Sequence, residues 1–255
     1  MANAAIAYLN FADAGLLFAS TQELTMPAAF LQNAHVARRW RSLAAPAYVV
    51  LDLLASQSLD TVALMGLTMG ANGTARVRVS TVDSTGAAGD AYNGSVTAVD
   101  TKYGTHVELL PAPASGRYVR IDLADPDGSY VEAGRLFAGL RTTFAYNHVW
   151  GWSRQWTDRS TRTKTRGGQT QILVDTAFRS LDLTFDFVTE AQRDALVEEI
   201  DRVNGMHTDV LLIRDPGNVN LARETLWGLV SDLTAVTQPA IFDIYSKQFK
   251  IEERL

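Results

Sequence analysis

Apolar residues in the first half of the chain come in short runs, broken by glycine, asparagine, aspartate and proline. Ala47–Leu53, Thr61–Leu67, Ala75–Ser80, Val107–Leu110 and Tyr118–Leu123 are β-branched, aromatic or aliphatic, and each is predicted as a strand. Between them Gly70–Gly73, Asp83–Ser95, Pro111–Gly116 and Asp125–Gly128 collect turn formers. Polar and apolar residues alternate through Tyr118–Leu123, as one wet face and one buried face require. The spacing suggests a sandwich or jelly roll. Met1–Phe18 is apolar, but the first cation is Arg38, and Asn10 and Asp13 interrupt the run. It is predicted as buried structure rather than a signal peptide.

The texture changes near Thr142. A tryptophan cluster and a polar, basic stretch from Arg154 to Arg166 lead into two strand-like runs, Gln171–Asp175 and Ser180–Phe187. The second alternates through Leu181, Leu183, Phe185 and Phe187. A helix is predicted over Glu190–Val203. Thr189 is placed to cap it, Gln192 to complete a capping box, and Glu190 to face the positive end of the dipole. Leu196, Ile200 and Val203 fall at helical spacing, and Gly205 can close the helix with positive φ. Strands resume at Asp209–Arg214, Thr225–Val230 and Ile241–Ile251. A boundary near residue 143 follows, giving domains 1–143 and 144–255.

The chain has 255 residues, 47% hydrophobic and 20% charged, with a mean hydropathy of −0.03. That is room for one large or two ordinary domains with a sizeable core. A net charge of −5 argues against a general nucleic-acid surface. With no cysteine, disulfides and thiolate metal sites are excluded, which suits folding in a reducing cytoplasm. No stretch is apolar for the length of a membrane span. Walker, dinucleotide and nucleophile-elbow motifs are absent. His35, His106, His148 and His207 stand apart, without metal-ligand spacing, and read as surface or hydrogen-bonded structural histidines. Asp122, Asp125 and Asp127 could offer oxygens to calcium, but a solvated Asp-Pro-Asp-Gly turn is the preferred reading. No catalytic, metal or cofactor residue is assigned.

Two groups are candidates for contact with a partner. Arg154, Arg159, Arg162, Lys164 and Arg166 alternate with small polar residues. They fit either a protein interface or a solvated hairpin whose cations protect an exposed edge. Trp150 and Trp152 would share one face of a strand, with Trp156 nearby. They could stack a sugar or anchor a partner, and packing into a core or between domains is preferred. Asn72-Gly73-Thr74 and Asn93-Gly94-Ser95 are read as turns before glycosylation sites.

Residues 36–140 resemble the discoidin, galactose-binding-like jelly roll. The resemblance is carried by Arg39-Trp40-Arg41-Ser42, Tyr48–Leu53, Leu59–Gly66, Ala75–Ser80, Gly116–Ile121 and Gly134–Gly139. It implies ligand contact through loops at one end, here Gly70–Gly73, Asp83–Ser95 and Asp125–Tyr130. The candidates there are Tyr92, Tyr130, Asn72 and Asn93. With two tyrosines among small residues, these loops are expected to grip saccharide weakly or not at all.

Residues 144–255 resemble minor tail and distal-tail proteins of siphophages and gene-transfer-agent-like particles. The matching pieces are Phe185-Asp186-Phe187 running into Thr189–Leu196, then Val210–Pro216, Leu226-Trp227-Gly228-Leu229 and Phe249–Glu253. Together the resemblances imply a mostly β protein, a jelly roll followed by a β-sandwich with one capped α-helix. The function implied is that of a non-enzymatic structural component of a bacteriophage tail tip, linking tube to adsorption apparatus. Its partners would be tail tube, hub or baseplate proteins, in a homo-oligomeric ring of three or six copies. It would be made in the bacterial cytoplasm and reside in the virion tail. The alternative is a carbohydrate- or receptor-binding tail protein recognising a host-surface glycan through the jelly-roll loops. A third reading, an accessory piece of a glycoside hydrolase, lacks a marked carboxylate pair.

Overall fold

The computed structural model describes residues 2–239 and 242–255. The chain is mostly β and divides into two compact units. One holds residues 1–143, 211–225 and Leu255, the other residues 144–210 and 226–254. The stretch 211–225, grouped by sequence with the second half, lies with the first because its strand pairs with the N-terminus. Ala5 faces Ile213 and Ala7 faces Leu211, antiparallel. Arg214 then closes the stretch on Glu224 with a buried ion pair of 2.6 Å and a backbone bond of 2.9 Å.

The first unit is built on an antiparallel ladder in the order Arg135–Gly139, Ala47–Met65, Thr105–Ala124, Thr74–Ser80, Tyr92–Asn93. Leu16–Ala19 also pairs with Ala47–Met65, and Thr97–Ala98 with Thr74–Ser80. Alternation decides the faces. Val49, Leu51, Val77, Val79, Val119, Ile121 and Leu123 point inward to one buried cluster that includes Trp40. Four predicted strands prove to be two long ones. Pro111–Gly116, predicted as a turn, belongs to Thr105–Ala124. Its partner's register jumps between Asp52 and Gln57 and again between Leu59 and Thr61, and such bulges accommodate prolines that cannot donate to a ladder. Of Met1–Phe18, expected as buried structure, Met1 lies outside the described residues; Ala4–Ala7 are fully buried and Asn10 caps a short 3₁₀ turn, but Leu9, Leu16 and Phe18 are exposed.

The second unit is an antiparallel sheet ordered Thr225–Asp232, Ile244–Glu253, Phe178–Thr189, Ser153–Thr157. Of the predicted strand Ile241–Ile251, Ile241 lies outside the described residues. Phe144 stacks on Phe185 at 3.9 Å between ring centroids, and Phe249 meets both edge-on. Leu181, Leu183 and Phe185 alternate into the core, but Phe187 is exposed and Val188 buried instead. A register shift between Phe185 and Val188 flips the alternation.

The helical segment runs over 190–203 as predicted, with a π turn at Arg193–Val197 in its middle. Thr189 accepts from the Gln192 amide at 3.4 Å, and Gly205 has φ +51°. The Gln192 side chain accepts from the Ala145 amide. The π turn places Val197 in the core beside Leu196 and Ile200, while Val203 is only half-buried. Among the described residues no helix is long and apolar enough to cross a membrane.

Candidate functional site

The same alternation that fills the first unit's core puts a charged cluster on its outer face. In Thr74–Ser80 it turns Arg76 and Arg78 outward; in Thr105–Ala124 it turns Arg120 and Asp122 outward. Register lines them up, since Tyr48 pairs with Asp122 and Asp122 with Arg76, while Arg120 pairs with Arg78. Arg78 grips Asp122 through Nε (3.1 Å) and Nη2 (2.6 Å), and Arg120 reaches the other carboxylate oxygen at 2.8 Å. The Arg120 guanidinium lies 3.5 Å above the Tyr48 ring centroid. These residues, with Pro46, Ala47, Thr74 and Val96, line a cleft of about 540 Å³.

The 81–95 segment runs along this face and fixes the arginines. Arg78 Nη1 donates to the Ala87 carbonyl at 2.6 Å and Arg120 Nη1 to the Thr85 carbonyl at 3.1 Å. Arg76 donates to the Gly94 carbonyl (2.9 Å) and to Asn93 Oδ1 (2.6 Å). The segment's own carboxylates are engaged elsewhere. Asp83 accepts from the Thr85 and Ala88 amides, and Asp90 from Thr81, and these bonds hold both below the usual aspartate range. Asp52 pairs with Arg117 at 2.7 and 2.8 Å, which likewise lowers its pKa.

The loops picked out from sequence do not converge. Gly70–Gly73 and Asp125–Tyr130 meet at one end of the ladder, where Asp125 accepts from the Gly70 amide (2.8 Å) and Asp127 from the Asn72 amide (3.1 Å). Asp125 and Asp127 thus cap backbone amides while Asp122 faces the arginines, the arrangement of a hydrogen-bonded turn. Asp83–Ser95 starts from the opposite end, after Ser80, and returns along the sheet edge, where Tyr92 pairs with Val79 and Asn93 with Arg78. The Tyr92 hydroxyl donates to Glu108; burial and this bond raise its pKa. Tyr130 lies under the Arg41 guanidinium at 4.5 Å. His106, expected at the surface or in a hydrogen bond, is buried with Nε2 unpartnered, and burial lowers its pKa to about 4.

In the second unit, Trp150 and Trp152 do not share a strand face. Gly151, at φ +99°, turns the chain before the strand begins at Ser153. Trp150 is 98% exposed, against the packing reading, and Trp152 meets His148 edge-on. Trp156 is exposed in Ser153–Thr157. Arg154 sits over Trp152 and Arg159 over Phe178. Arg162 and Lys164 lie on one face of Thr161–Lys164, which among the described residues pairs with Thr170–Leu173 alone, and Arg166 sits in the connection. Every residue of this hairpin's strands is exposed.

Sequence reasoning missed Tyr48, Arg76, Arg78, Arg120 and Asp122 as a group. The signal was in the alternating Arg76-Val77-Arg78-Val79 and Arg120-Ile121-Asp122, which place cations on the solvent face. Recognising the cluster also required the cross-strand register.

No protein-family model matches the sequence, and no curated protein matches it. Among solved structures the chain is similar to chitosan-binding module 1 from a chitosanase/glucanase of Paenibacillus sp. IK-5. That likeness is at 18% identity, covering 52% of this chain and 98% of the module, with a TM-score of 0.40. It is also similar to the family 32 carbohydrate-binding module of NanJ from C. perfringens in complex with galactose (14% identity, 54% and 99% covered, TM-score 0.40). A further Clostridium perfringens module, in complex with GalNAc-β-1,3-galactose, gives 14% identity, 52% and 99% covered, and a TM-score of 0.43. These are likenesses of fold.

Proposed function

We propose that this chain is a non-catalytic attachment protein whose first unit binds saccharide. The observation that carries this reading is the outer-face cleft. It joins an apolar wall of Pro46, Tyr48 and Val96 to guanidinium groups already fixed by Asp122 and by backbone carbonyls. Saccharides need both parts, a surface for the C–H face of a ring and rigid donors for oxygen atoms. The cleft differs from the loop ends considered from sequence, so poor grip by Tyr92 and Tyr130 does not bear on it. A glycan array probed with the full chain tests the proposal: binding to a defined saccharide set supports it, and a blank array overturns it.

From a second observation, an exposed hairpin, we infer a role in assembly with a neighbouring subunit, as a bacteriophage tail-tip component would need. The hairpin Thr161–Lys164/Thr170–Leu173 exposes Ile172, Leu173 and the following Val174, with Arg162 and Lys164 on the opposing strand. An isolated two-stranded hairpin is marginal in water, and an exposed apolar edge invites another strand or subunit. In this reading the hairpin packs on a neighbouring copy in a ring. Mass photometry of the full chain tests it: oligomers that dissociate on Leu173→Lys are expected, and a strict monomer at all concentrations overturns it.

A further inference from the structure

The outer-face cleft is cationic in a protein that is acidic as a whole, with a net charge of −5. Three guanidiniums (Arg76, Arg78, Arg120) face one carboxylate, Asp122, a local excess of two positive charges. Asp122 is shared by Arg78 and Arg120, whose outer N–H groups are also tied to Ala87 and Thr85. Arg76 differs. Its bonds go to neutral acceptors, the Gly94 carbonyl and Asn93 Oδ1, through Nε and Nη2. Among the described residues it has no carboxylate within ion-pair distance. The carboxylates of the neighbouring segments are already committed: Asp83 and Asp90 to their own turn, Asp52 to Arg117, Glu108 to Tyr92.

Neutral acceptors at Nε and Nη2 leave Nη1 and the second Nη2 hydrogen for an anion, and a carboxylate spans such a pair of donors in bidentate fashion. Beside Arg76, the exposed Pro46 and Val96 supply the apolar wall. We propose that the cleft takes an acidic saccharide, with Arg76 pairing with the carboxylate of a uronate-type sugar whose ring lies on that wall. This rests on the saccharide-binding reading above and adds the charge of the ligand. Arg78 and Arg120 strengthen the local potential, and Asp122 keeps them rigid.

The test is calorimetry on the full chain at low salt with a hyaluronan hexasaccharide, which carries uronate, and with hexa-N-acetylchitohexaose as the neutral control. Inorganic sulfate is titrated separately. The expected result is uronate binding at least about tenfold tighter than the neutral oligomer, weakening as salt is added. Arg76→Gln should remove about tenfold of that preference, read as the ratio of uronate to neutral binding, with Arg76→Lys in between. Should Arg76→Gln fail to fold, Val96→Glu places a negative charge at an exposed position of the cleft and should lower the ratio of uronate to neutral binding by a similar factor. Equal binding of acidic and neutral oligomers, unmoved by these variants, overturns the inference and leaves the saccharide reading standing. Sulfate bound as tightly as the uronate oligomer overturns the assignment to a sugar. Binding of neither oligomer overturns the inference, and the glycan array then decides the saccharide reading.

Discussion

Protonating His106 is expected to destabilise the first unit. Its side chain is 5% exposed and Nε2 has no hydrogen-bond partner. Glu108 lies 3.9 Å from Nε2 and would attract a proton, yet burial dominates and lowers the pKa from 6.5 to about 4. The unfolded chain binds this proton near pH 6.5 and the folded chain resists it until about pH 4. The contribution of neutral His106 is therefore fully present above pH 6.5 and is lost as pH falls toward 4, at up to about 1.4 kcal/mol per pH unit. The total is at most roughly 3 kcal/mol, and less where the chain relaxes or water enters. Urea unfolding of wild type and His106→Leu at half-unit steps from pH 7.5 to 4 isolates this part, because the titratable groups away from His106 keep their surroundings in both proteins. The wild-type stability should fall more steeply below pH 6.5. Parallel curves, or a ring-proton NMR midpoint at pH 6 or above, would refute the reasoning.

Thr189→Ala removes the oxygen that accepts from the Gln192 amide and should cost on the order of 1 kcal/mol in chemical denaturation. Lys247 is 1% exposed, and its ammonium donates to Asp201 and to the Thr234 carbonyl. Asp201→Ala should cost about 3 kcal/mol by stranding a buried charge, whereas Lys247→Met should cost clearly less. A Cβ on Gly134 would sit 2.0 Å from the Val36 carbonyl oxygen, so Gly134→Ala should lower thermal stability by about 3 kcal/mol or more. Trp150→Ala should leave the melting temperature unchanged, since the ring is almost wholly in solvent.

Local patterns made much of the fold legible. Val77 and Val79 alternate with arginines, and the capped run from Thr189 to Gly205 states its start and stop; both elements appear where the sequence puts them. What was illegible depended on contacts distant in sequence. Pro111 and Pro113 read as a turn, but bulges in the partner strand let the ladder pass through them. Phe187 and Val188 exchanged faces because of one irregularity in pairing. Trp150 and Trp152 looked like strand neighbours until Gly151 adopted positive φ. The candidate cleft was hidden for the same reason: Tyr48, Arg76 and Asp122 lie far apart in the chain, and only register brings them into one row. Three turn-rich segments, in contrast, looked equivalent in composition yet sit at different ends of the ladder.

A saccharide bound in the outer-face cleft should leave its mark on the strands that line it. In amide NMR spectra of the full chain titrated with a saccharide that it binds, shifts should concentrate in Thr74–Ser80, 92–97 and 120–124. Those segments carry or flank Arg76, Arg78, Arg120 and Asp122. Shifts confined instead to Gly70–Gly73 and Asp125–Tyr130, with the strand amides unmoved, would contradict the account.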